Sequence, residues 1–219
     1  MSERRAIVVR GGWEGHAPDE AVELFVPFLA EHGFDVSVES TLEVYADAAA
    51  MAATDLIVQC WTMGDILADE LRGLRTAVAA GTGFAGWHGG IVDSFRMATD
   101  YLQMVGGQFV AHPADLVEHT VDIVPTRAQH PIVRDVPSFS LRSEQYWVLT
   151  DPLNDVLATT TIPAGDGPWA ADLVSPAVWT RQWGDGRVFV CTPGHQLADL
   201  EIPEVRTIIE RGLLWAARA

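Results

Sequence analysis

Short apolar runs alternate with helical patterns through the first half of the chain. The runs at residues 6–9, 35–38, 56–60 and 83–85 have the length and residue types of buried strands. Between them, apolar residues recur at helical spacing from Asp19 to Gly33, where Pro27 is a position for a kink, and over 46–53 and 67–80. Strands separated by helices predict βαβ units and a parallel sheet covered on both faces.

The second half is less regular. It predicts a helix over 94–105 with a break at Gly106-Gly107, strands over 118–124, 156–162, 177–183 and 187–191, and a final helix over 203–217. A hairpin turn at Gly184-Asp185-Gly186 joins the last two strands. Because no linker or internal repeat interrupts the pattern, we expect one domain over residues 1–219. The predicted fold is a three-layer α/β fold with a doubly wound, mostly parallel sheet.

The segment 82–90 holds a histidine between glycines where a strand turns sharply into a helix. This pattern is typical of a nucleophile elbow, in which small neighbours let two backbones approach and push one side chain outward. Elbows of this kind usually carry Ser or Cys, whereas His88 occupies the apex here. Acyl transfer through an elbow nucleophile therefore lacks its attacking atom.

Charge and cysteine usage limit the classes of partner. The formal net charge is −16 over 219 residues, which disfavours nucleic acids and anionic membranes as partners. No apolar stretch approaches the ~20 residues of a membrane span, and the N-terminus lacks a signal core, so we expect a cytoplasmic protein. Cys60 and Cys191 each end an apolar run and are expected to be buried free thiols. A homo-oligomer is compatible with the sequence.

Several short motifs occur in a specific order along essentially the whole chain. They are Gly12-Trp13-Glu14-Gly15-His16, Gly86-Trp87-His88-Gly89-Gly90, Gly106-Gly107-Gln108-Phe109 followed by His112-Pro113, His130-Pro131, Ser143-Glu144-Gln145-Tyr146, Pro176-Ala177-Val178-Trp179-Thr180-Arg181, Gly184-Asp185-Gly186-Arg187-Val188-Phe189 and Gly194-His195. In this order they resemble the trehalose-utilisation (ThuA-like) family, which has a flavodoxin-like, class I glutamine amidotransferase-like fold. The resemblance implies catabolism of trehalose and related disaccharides by way of 3-keto sugar derivatives. Ser143 departs from the family pattern, which usually has aspartate before the glutamate.

Three histidines are expected at the carboxyl ends of the strands, where ligands bind in such sheets. By comparison with the glutamine amidotransferases, His88 replaces the elbow cysteine and His195 occupies the place of their histidine. His16 follows the first strand, so we expect His16, His88 and His195 to share one site. Imidazoles transfer protons near neutral pH and also bind divalent metals, and the sequence leaves both roles open.

Two more residues of the motifs, His112 and Glu144, complete the candidate catalytic set, and Tyr146 is a candidate substrate-binding residue. His112 precedes Pro113, which holds its backbone extended and suits either a loop projecting into a cleft or a plain turn. In the family pattern Glu144 is a candidate general base or metal ligand, and Tyr146 a candidate proton donor or sugar contact. Imidazoles and a carboxylate are suitable ligands for zinc or manganese, but no HxxEH-type spacing places two of them on one helix. The sequence therefore leaves open whether a divalent metal binds, and we assign no ligands from it.

Aromatic residues predict a carbohydrate as the small-molecule partner. The chain has eight tryptophans, and aromatic faces pack against the C–H faces of sugars. Trp61 and Trp87 follow strand ends and are expected to line the pocket, together with Trp179. Arg181 is a candidate for binding a substrate hydroxyl or carboxylate, and Arg96, after the elbow, is a weaker candidate.

These observations favour an enzyme that acts on a keto derivative of a disaccharide or glycoside. Proton abstraction beside the carbonyl would lead to isomerisation or to cleavage of the glycosidic bond, with His88, Glu144 and His195 in acid–base or metal-binding roles. One alternative is a non-catalytic sugar-binding or regulatory module on an amidotransferase-like fold. Another is a hydrolase that uses Cys60 or Cys191, which is disfavoured because neither cysteine lies at the elbow.

Overall fold

The computed structural model describes residues 4–165 and 167–218, which contain eleven strands and eight α-helices. The strands are β1 Arg4–Gly12, β2 Phe34–Glu39, β3 Leu56–Thr62, β4 Gly83–Trp87, β5 Gly107–Ala111, β6 Leu116–Ile123, β7 Phe139–Glu144, β8 Trp147–Thr150, β9 Asp155–Ile162, β10 Leu173–Trp183 and β11 Gly186–Cys191. The helices are α1 Pro18–Glu23, α2 Val26–Glu31, α3 Ala48–Ala52, α4 Ala68–Ala79, α5 Gly89–Val92, α6 Thr99–Val105, α7 Leu197–Leu200 and α8 Pro203–Ala216. Short 3-10 helices lie at Glu14–His16, Glu43–Ala46 and Pro125–Arg127.

A central sheet organises the described residues in the strand order β2-β1-β3-β4-β11-β10-β9-β6-β7. The first five strands are parallel, and the pairs from β11 to β7 are antiparallel. The order 2-1-3-4 of the parallel part is that of flavodoxin-like folds. The predicted α/β fold class is therefore confirmed, with an antiparallel extension built from the second half of the chain. The strands β5 and β8 form a separate two-stranded sheet.

Helices cover both faces of the parallel part. Alternate residues of β1 belong to two different hydrophobic clusters, because successive side chains of a strand point to opposite faces. Ala6 shares one cluster with Leu213 of α8, and Ile7 shares the other with Leu74 of α4. This alternation produces the three layers that the sequence predicts.

The structure differs from the predicted elements at two helices and contains three strands, β5, β7 and β8, that the sequence did not predict. The helix expected from Asp19 to Gly33 is two short helices, and Pro27 lies in the first turn of α2, where its fixed φ favours helix initiation rather than a kink. The helix expected over 94–105 begins only at Thr99, because the chain after α5 turns through Phe95, whose φ is 49°. No helix among the described residues is long and apolar enough to cross a membrane.

Candidate active site

The turn from β4 into α5 is the elbow that the sequence predicts. His88 has φ 49° and ψ −145°, and its amide donates to the Cys191 carbonyl at 2.7 Å. Glycines are required on both sides: a Cβ at Gly86 would lie 2.4 Å from the Gln59 carbonyl oxygen, and one at Gly89 would lie 2.6 Å from the His16 ring. The glycines therefore let neighbouring segments of the chain approach closely, and the tight turn directs the His88 side chain towards the neighbouring strand ends.

The His88 ring is held in one tautomer. Its Nδ1 lies 2.8 Å from the Thr192 carbonyl oxygen, which can only accept, so Nδ1 carries the proton. The other nitrogen, Nε2, then offers a lone pair. It lies 2.8 Å from the Tyr146 hydroxyl and 3.2 Å from Oε2 of Glu144. A histidine that binds a metal through one ring nitrogen usually donates the N–H of its other nitrogen to a carbonyl or carboxylate oxygen. His88 has this arrangement.

The three histidines that the sequence placed at strand ends lie together. The ring centroids of His16 and His88 are 4.6 Å apart, and that of His195 lies 5.2 Å from His16 and 5.3 Å from His88. His16 is positioned by the 3-10 helix after β1 and by a 2.8 Å hydrogen bond between its Nδ1 and the Thr62 hydroxyl at the end of β3. His195 lies in the loop after β11, so three parallel strands each contribute to the site.

Glu144, the last residue of β7, brings a carboxylate from the antiparallel extension. Its Oε2 lies 3.2 Å from Nε2 of His88 and 3.3 Å from Nδ1 of His195. Its other oxygen, Oε1, lies 3.5 Å from Nε2 of His112. The carboxylate thus lies between the buried His88 and the partly buried His195 on one side and His112, whose side chain is 33% exposed, on the other. We call His16, His88, Glu144 and His195 the His–Glu cluster.

Burial and mutual contact set the charges of the cluster. Burial and the neighbouring His88 and His195 lower the pKa of His16 to about 3, and burial also lowers the pKa of His88. Burial raises the pKa of Glu144, but the close contacts of its carboxylate with His195 and His88 outweigh burial and hold this pKa well below its usual range. The neighbouring Glu144 carboxylate in turn raises the pKa of His195. The cluster therefore carries an ionised carboxylate between neutral imidazoles, with His195 the imidazole that binds a proton most readily.

The donor set of the cluster fits a divalent metal ion. One ligand atom from each of the four residues lies within 4.8 Å of every other. Within residues 4–165 and 167–218, Nδ1 of His195 is buried and has no hydrogen-bond partner of good geometry. Three imidazoles and a carboxylate are suitable ligands for zinc or manganese. Four separate segments of the chain thus bring possible metal ligands to one place.

Tyr146 and Phe109 extend the site beyond the cluster. The Tyr146 ring stacks on His88 at a centroid distance of 4.2 Å, and burial and the neighbouring Glu144 raise the pKa of its hydroxyl well above the usual value. Phe109 packs against Tyr146 at 4.5 Å and stacks parallel to His112 at 5.8 Å. Phe109 lies on β5 and Tyr146 between β7 and β8. Both belong to the quoted motifs, but Phe109 was not predicted as a site residue.

Two of the three tryptophans expected to line the pocket are core residues instead. Trp87 is 2% exposed and packs against Phe25 at 4.7 Å, and Trp179 is fully buried and donates through Nε1 to the Val105 carbonyl. Their side chains point into the hydrophobic layers, so neither offers a face to a ligand. Trp61 is half-buried against Gly11 and outside the cluster.

Arg181 is also placed differently from the expectation. Its side chain is 3% exposed, and Nη1 donates to Asp151 at 2.7 Å and to Asn154 at 2.9 Å. A buried guanidinium with these partners ties β10 to the loop before β9, so it is not available to a substrate.

Two further residues of the site were missed. Trp13 is 47% exposed and lies edge-to-face with His16 at 4.7 Å; its place in the first motif was the signal that could have identified it. Thr192 acts through its backbone carbonyl, which no side-chain pattern reveals. Ser143, where the family usually has aspartate, donates to the buried Asp199 at 2.6 Å.

Both cysteines are buried free thiols, as expected. Burial raises the pKa of the Cys60 thiol to about 12 and raises that of Cys191 as well. Because the thiolate is the nucleophile, these thiols are inert at neutral pH. This geometry disfavours a cysteine hydrolase.

Comparison with known proteins agrees with this fold and motif order. The family described as ThuA, trehalose utilisation, matches residues 5–216, and the chain belongs to this family. Membership indicates a role related to trehalose utilisation. No curated protein sequence matches the chain.

Solved structures share the fold at low sequence identity. A protein described as ThuA-like from Bacteroides uniformis has a TM-score of 0.76 and 15% identity, with 98% of this chain and 91% of that chain covered. Another from Parabacteroides merdae has a TM-score of 0.74 and 15% identity, with coverage of 98% and 90%. A β-galactosidase from Bacillus circulans has a TM-score of 0.63 and 12% identity, and the match covers 98% of this chain but 30% of that enzyme. These likenesses concern the fold alone.

The interior position of Trp179 leads to a testable prediction. Trp179→Phe removes the donor to the Val105 carbonyl and leaves a small void, so we expect unfolding free energy to fall by about 1–3 kcal/mol. Urea unfolding measures this change, and titration with trehalose measures sugar binding, which we expect to be unchanged. Weaker sugar binding with unchanged stability would instead support a role in the pocket.

Proposed function

We propose that this protein is an enzyme of carbohydrate catabolism that acts on an oxidised disaccharide or glycoside, with a divalent metal ion held by the His–Glu cluster. The observation that carries the proposal is the convergence of four ligand atoms within 4.8 Å of one another at the strand ends. Family membership supports the carbohydrate part of the proposal. A carbohydrate partner in the cytoplasm, rather than nucleic acid or a membrane, also agrees with the net charge of −16.

The metal would be zinc or manganese, held by His16, His88, Glu144 and His195. When bound, such an ion supplies Lewis-acid polarisation of a substrate oxygen. Zinc with imidazole and carboxylate ligands is a common arrangement in catalytic sites. These four residues, whose role the sequence leaves open between proton transfer and metal binding, would then serve chiefly as ligands.

His112 and Tyr146 are the residues left to handle protons. His112 is the most exposed imidazole beside the carboxylate, and its Nε2 lies 3.5 Å from Oε1 of Glu144, which orients the ring. An imidazole there can accept a proton from the carbon beside a carbonyl and return it elsewhere on the sugar. The Tyr146 hydroxyl, whose pKa is raised, stays protonated and donates a hydrogen bond. Together they support isomerisation or elimination at the glycosidic carbon.

The metal proposal predicts one tight divalent site per chain. Chelator-stripped protein titrated calorimetrically with ZnCl2 or MnCl2 should bind one ion, and metal at a hundred times Kd should raise the unfolding free energy by about 2.7 kcal/mol. Glu144→Gln and His195→Ala each remove a ligand and should weaken binding at least about tenfold.

His119→Ala is the matched control for this titration. His119 is a half-buried imidazole on β6 whose Nδ1 also bonds a backbone carbonyl, that of Val117, but it lies outside the cluster. We expect its removal to leave metal affinity unchanged. Equal losses in His119→Ala and His195→Ala, or no binding by the parent protein, would contradict the assignment.

The catalytic proposal predicts turnover of 3-keto-trehalose by the metal-loaded protein. His112→Ala should lower kcat by about 10²–10⁴-fold, the usual contribution of a general acid–base group, while metal affinity stays the same. Glu144→Gln and His88→Ala should lose both activity and metal. Activity is followed by product chromatography, with His119→Ala again as the control.

Two results would contradict the catalytic proposal. Wild-type rates in both His88→Ala and Glu144→Gln would show that neither residue is needed for catalysis. Binding of unmodified trehalose with no turnover of 3-keto-trehalose under either metal would favour the non-catalytic sugar-binding module.

A further inference from the structure

Asp199 is a buried acidic residue of α7 that has no part in the metal and proton roles above. We propose that Asp199 is a positioning residue, whose carboxylate ties the chain beside Glu144 to the chain beside His195 and so holds both ligands where a metal ion needs them. Asp199 acts through these neighbours and touches neither the ion nor the substrate. The inference rests on the metal site of the proposed function and adds a residue on which the affinity of that site depends.

One oxygen atom of Asp199 joins two segments that are distant in the chain. Its Oδ2 accepts a hydrogen bond from the Ser143 hydroxyl at 2.6 Å and another from the Gln196 amide at 3.1 Å. Ser143 directly precedes Glu144, and Gln196 directly follows His195. Each of these two cluster residues is therefore one residue away from an anchor on the same atom. We call the two hydrogen bonds the Asp199 clamp.

The Asp199 clamp is shielded from water. Asp199 is 4% exposed and Ser143 is 1% exposed. Hydrogen bonds to a carboxylate are shorter and stronger than those between neutral groups, and exclusion of water strengthens them further. Among residues 4–165 and 167–218, no cationic side chain lies within ion-pair distance of Asp199. Because a buried acidic group without a cation is costly, its two hydrogen bonds have to offset that cost.

The sheet alone does not fix Glu144 relative to His195. The strand β7 lies four places from β11 in the sheet order, and within the described part of the chain it pairs with β6 alone. In turn β6 pairs with β9 only through residues 122 and 123, whereas Glu144 pairs with Leu116 at the opposite end of β6. The ladder that joins β7 to the rest of the sheet therefore ends far from the site.

Two side chains fix the end of β7 that carries Glu144. Gln145 donates through Nε2 to a hydroxyl and a carbonyl of β9, at 2.6 and 2.9 Å, and ties this end to the sheet. Asp199 ties the same end to the loop after β11, which carries His195. The Asp199 clamp is thus the direct connection between the two segments that bring Glu144 and His195 to the site.

Glu144 and His195 also need this support more than the other two ligands do. His16 and His88 are each fixed through Nδ1 by a hydrogen bond of 2.8 Å, to a threonine hydroxyl and to a backbone carbonyl. In residues 4–165 and 167–218, the side chains of Glu144 and His195 have no such bond to the backbone or to a threonine, and they contact each other at 3.3 Å. Their positions therefore depend on the backbone that the Asp199 clamp holds.

The experiment measures zinc affinity of chelator-stripped protein by calorimetry, with urea unfolding of the same metal-free samples. Asp199→Ala removes both hydrogen bonds and should weaken zinc binding at least about tenfold, the usual effect of losing a residue that supports metal ligands. Asp199→Asn keeps an amide oxygen that can accept both bonds, so it should keep most of the affinity. In cobalt-loaded protein, Asp199→Ala should also change the visible absorption spectrum, which reports the geometry of the ligands.

An exchange of the two side chains tests the contact itself. Ser143→Asp places two carboxylates against each other in a buried position, so it should weaken zinc binding as Asp199→Ala does. Adding Asp199→Ser to Ser143→Asp exchanges the partners and restores one hydroxyl and one carboxylate. We expect the double variant to recover part of the lost affinity, which two independent structural defects would not do.

Asp47→Ala is the matched control for a loss of stability alone. Asp47 is also an aspartate at the start of a short helix, and it accepts the amides of Ala49 and Ala50 at 2.9 and 3.0 Å. It precedes α3 and lies outside the site. Its removal should lower the midpoint of urea unfolding and leave zinc affinity and the cobalt spectrum unchanged.

Three results would overturn the inference while keeping the metal site. They are tight zinc binding that Asp199→Ala leaves unchanged, equal losses in Asp199→Ala and Asp199→Asn, and no recovery in the exchanged variant. Equal losses in Asp47→Ala and Asp199→Ala would overturn it as well, since they would reflect stability alone. No zinc binding by the parent protein would refute the metal site and the Asp199 clamp together. Zinc binding that depends on Asp199, without turnover of 3-keto-trehalose, would refute the enzyme and keep the clamp.

Discussion

The structure of the site depends on the hydrogen-bonded turn at His88. Its amide donates to the Cys191 carbonyl and its Nδ1 to the Thr192 carbonyl, so the elbow after β4 is tied to the chain leaving β11. These two bonds fix both the backbone and the tautomer of His88. Because the strands are parallel, their carboxyl ends meet at one edge, and the same geometry brings His16 and His195 beside the turn.

The replacement of an elbow nucleophile by histidine changes the chemistry without changing the fold. An imidazole takes the place of the serine or cysteine that usually occupies the apex, and it can ligate a metal or move a proton. The antiparallel extension completes the change, since its strand β7 delivers Glu144 to the edge of the parallel part. The buried Asp199, hydrogen-bonded to Ser143, braces the end of this strand against α7. The extension is thus the part of the fold that converts an elbow into an imidazole–carboxylate site.

Much of this arrangement could be predicted from the sequence, because periodicity and glycine spacing report on the backbone. The five parallel strands and the elbow could be predicted in this way, and the gathering of His16, His88 and His195 follows from their positions after strand ends, whereas β5, β7 and β8 were not predicted. Glu144 was accessible only through the motif around it, since the short strand β7 has no strong pattern of its own. Trp87 and Trp179 were misplaced because a position near a strand end does not say which face of the sheet the side chain takes. Arg181 was misplaced because its partners, Asp151 and Asn154, come from a distant loop.

Ligand atoms of His16, His88, Glu144 and His195 come from separate segments of the chain and face one common point. Diffraction from crystals soaked in zinc, recorded on both sides of the zinc absorption edge, shows whether a metal ion binds there. We expect one strong anomalous peak about 2.0–2.2 Å from ligand atoms of these four residues. Zinc scattered over surface carboxylates, with no peak between these four residues, would contradict it.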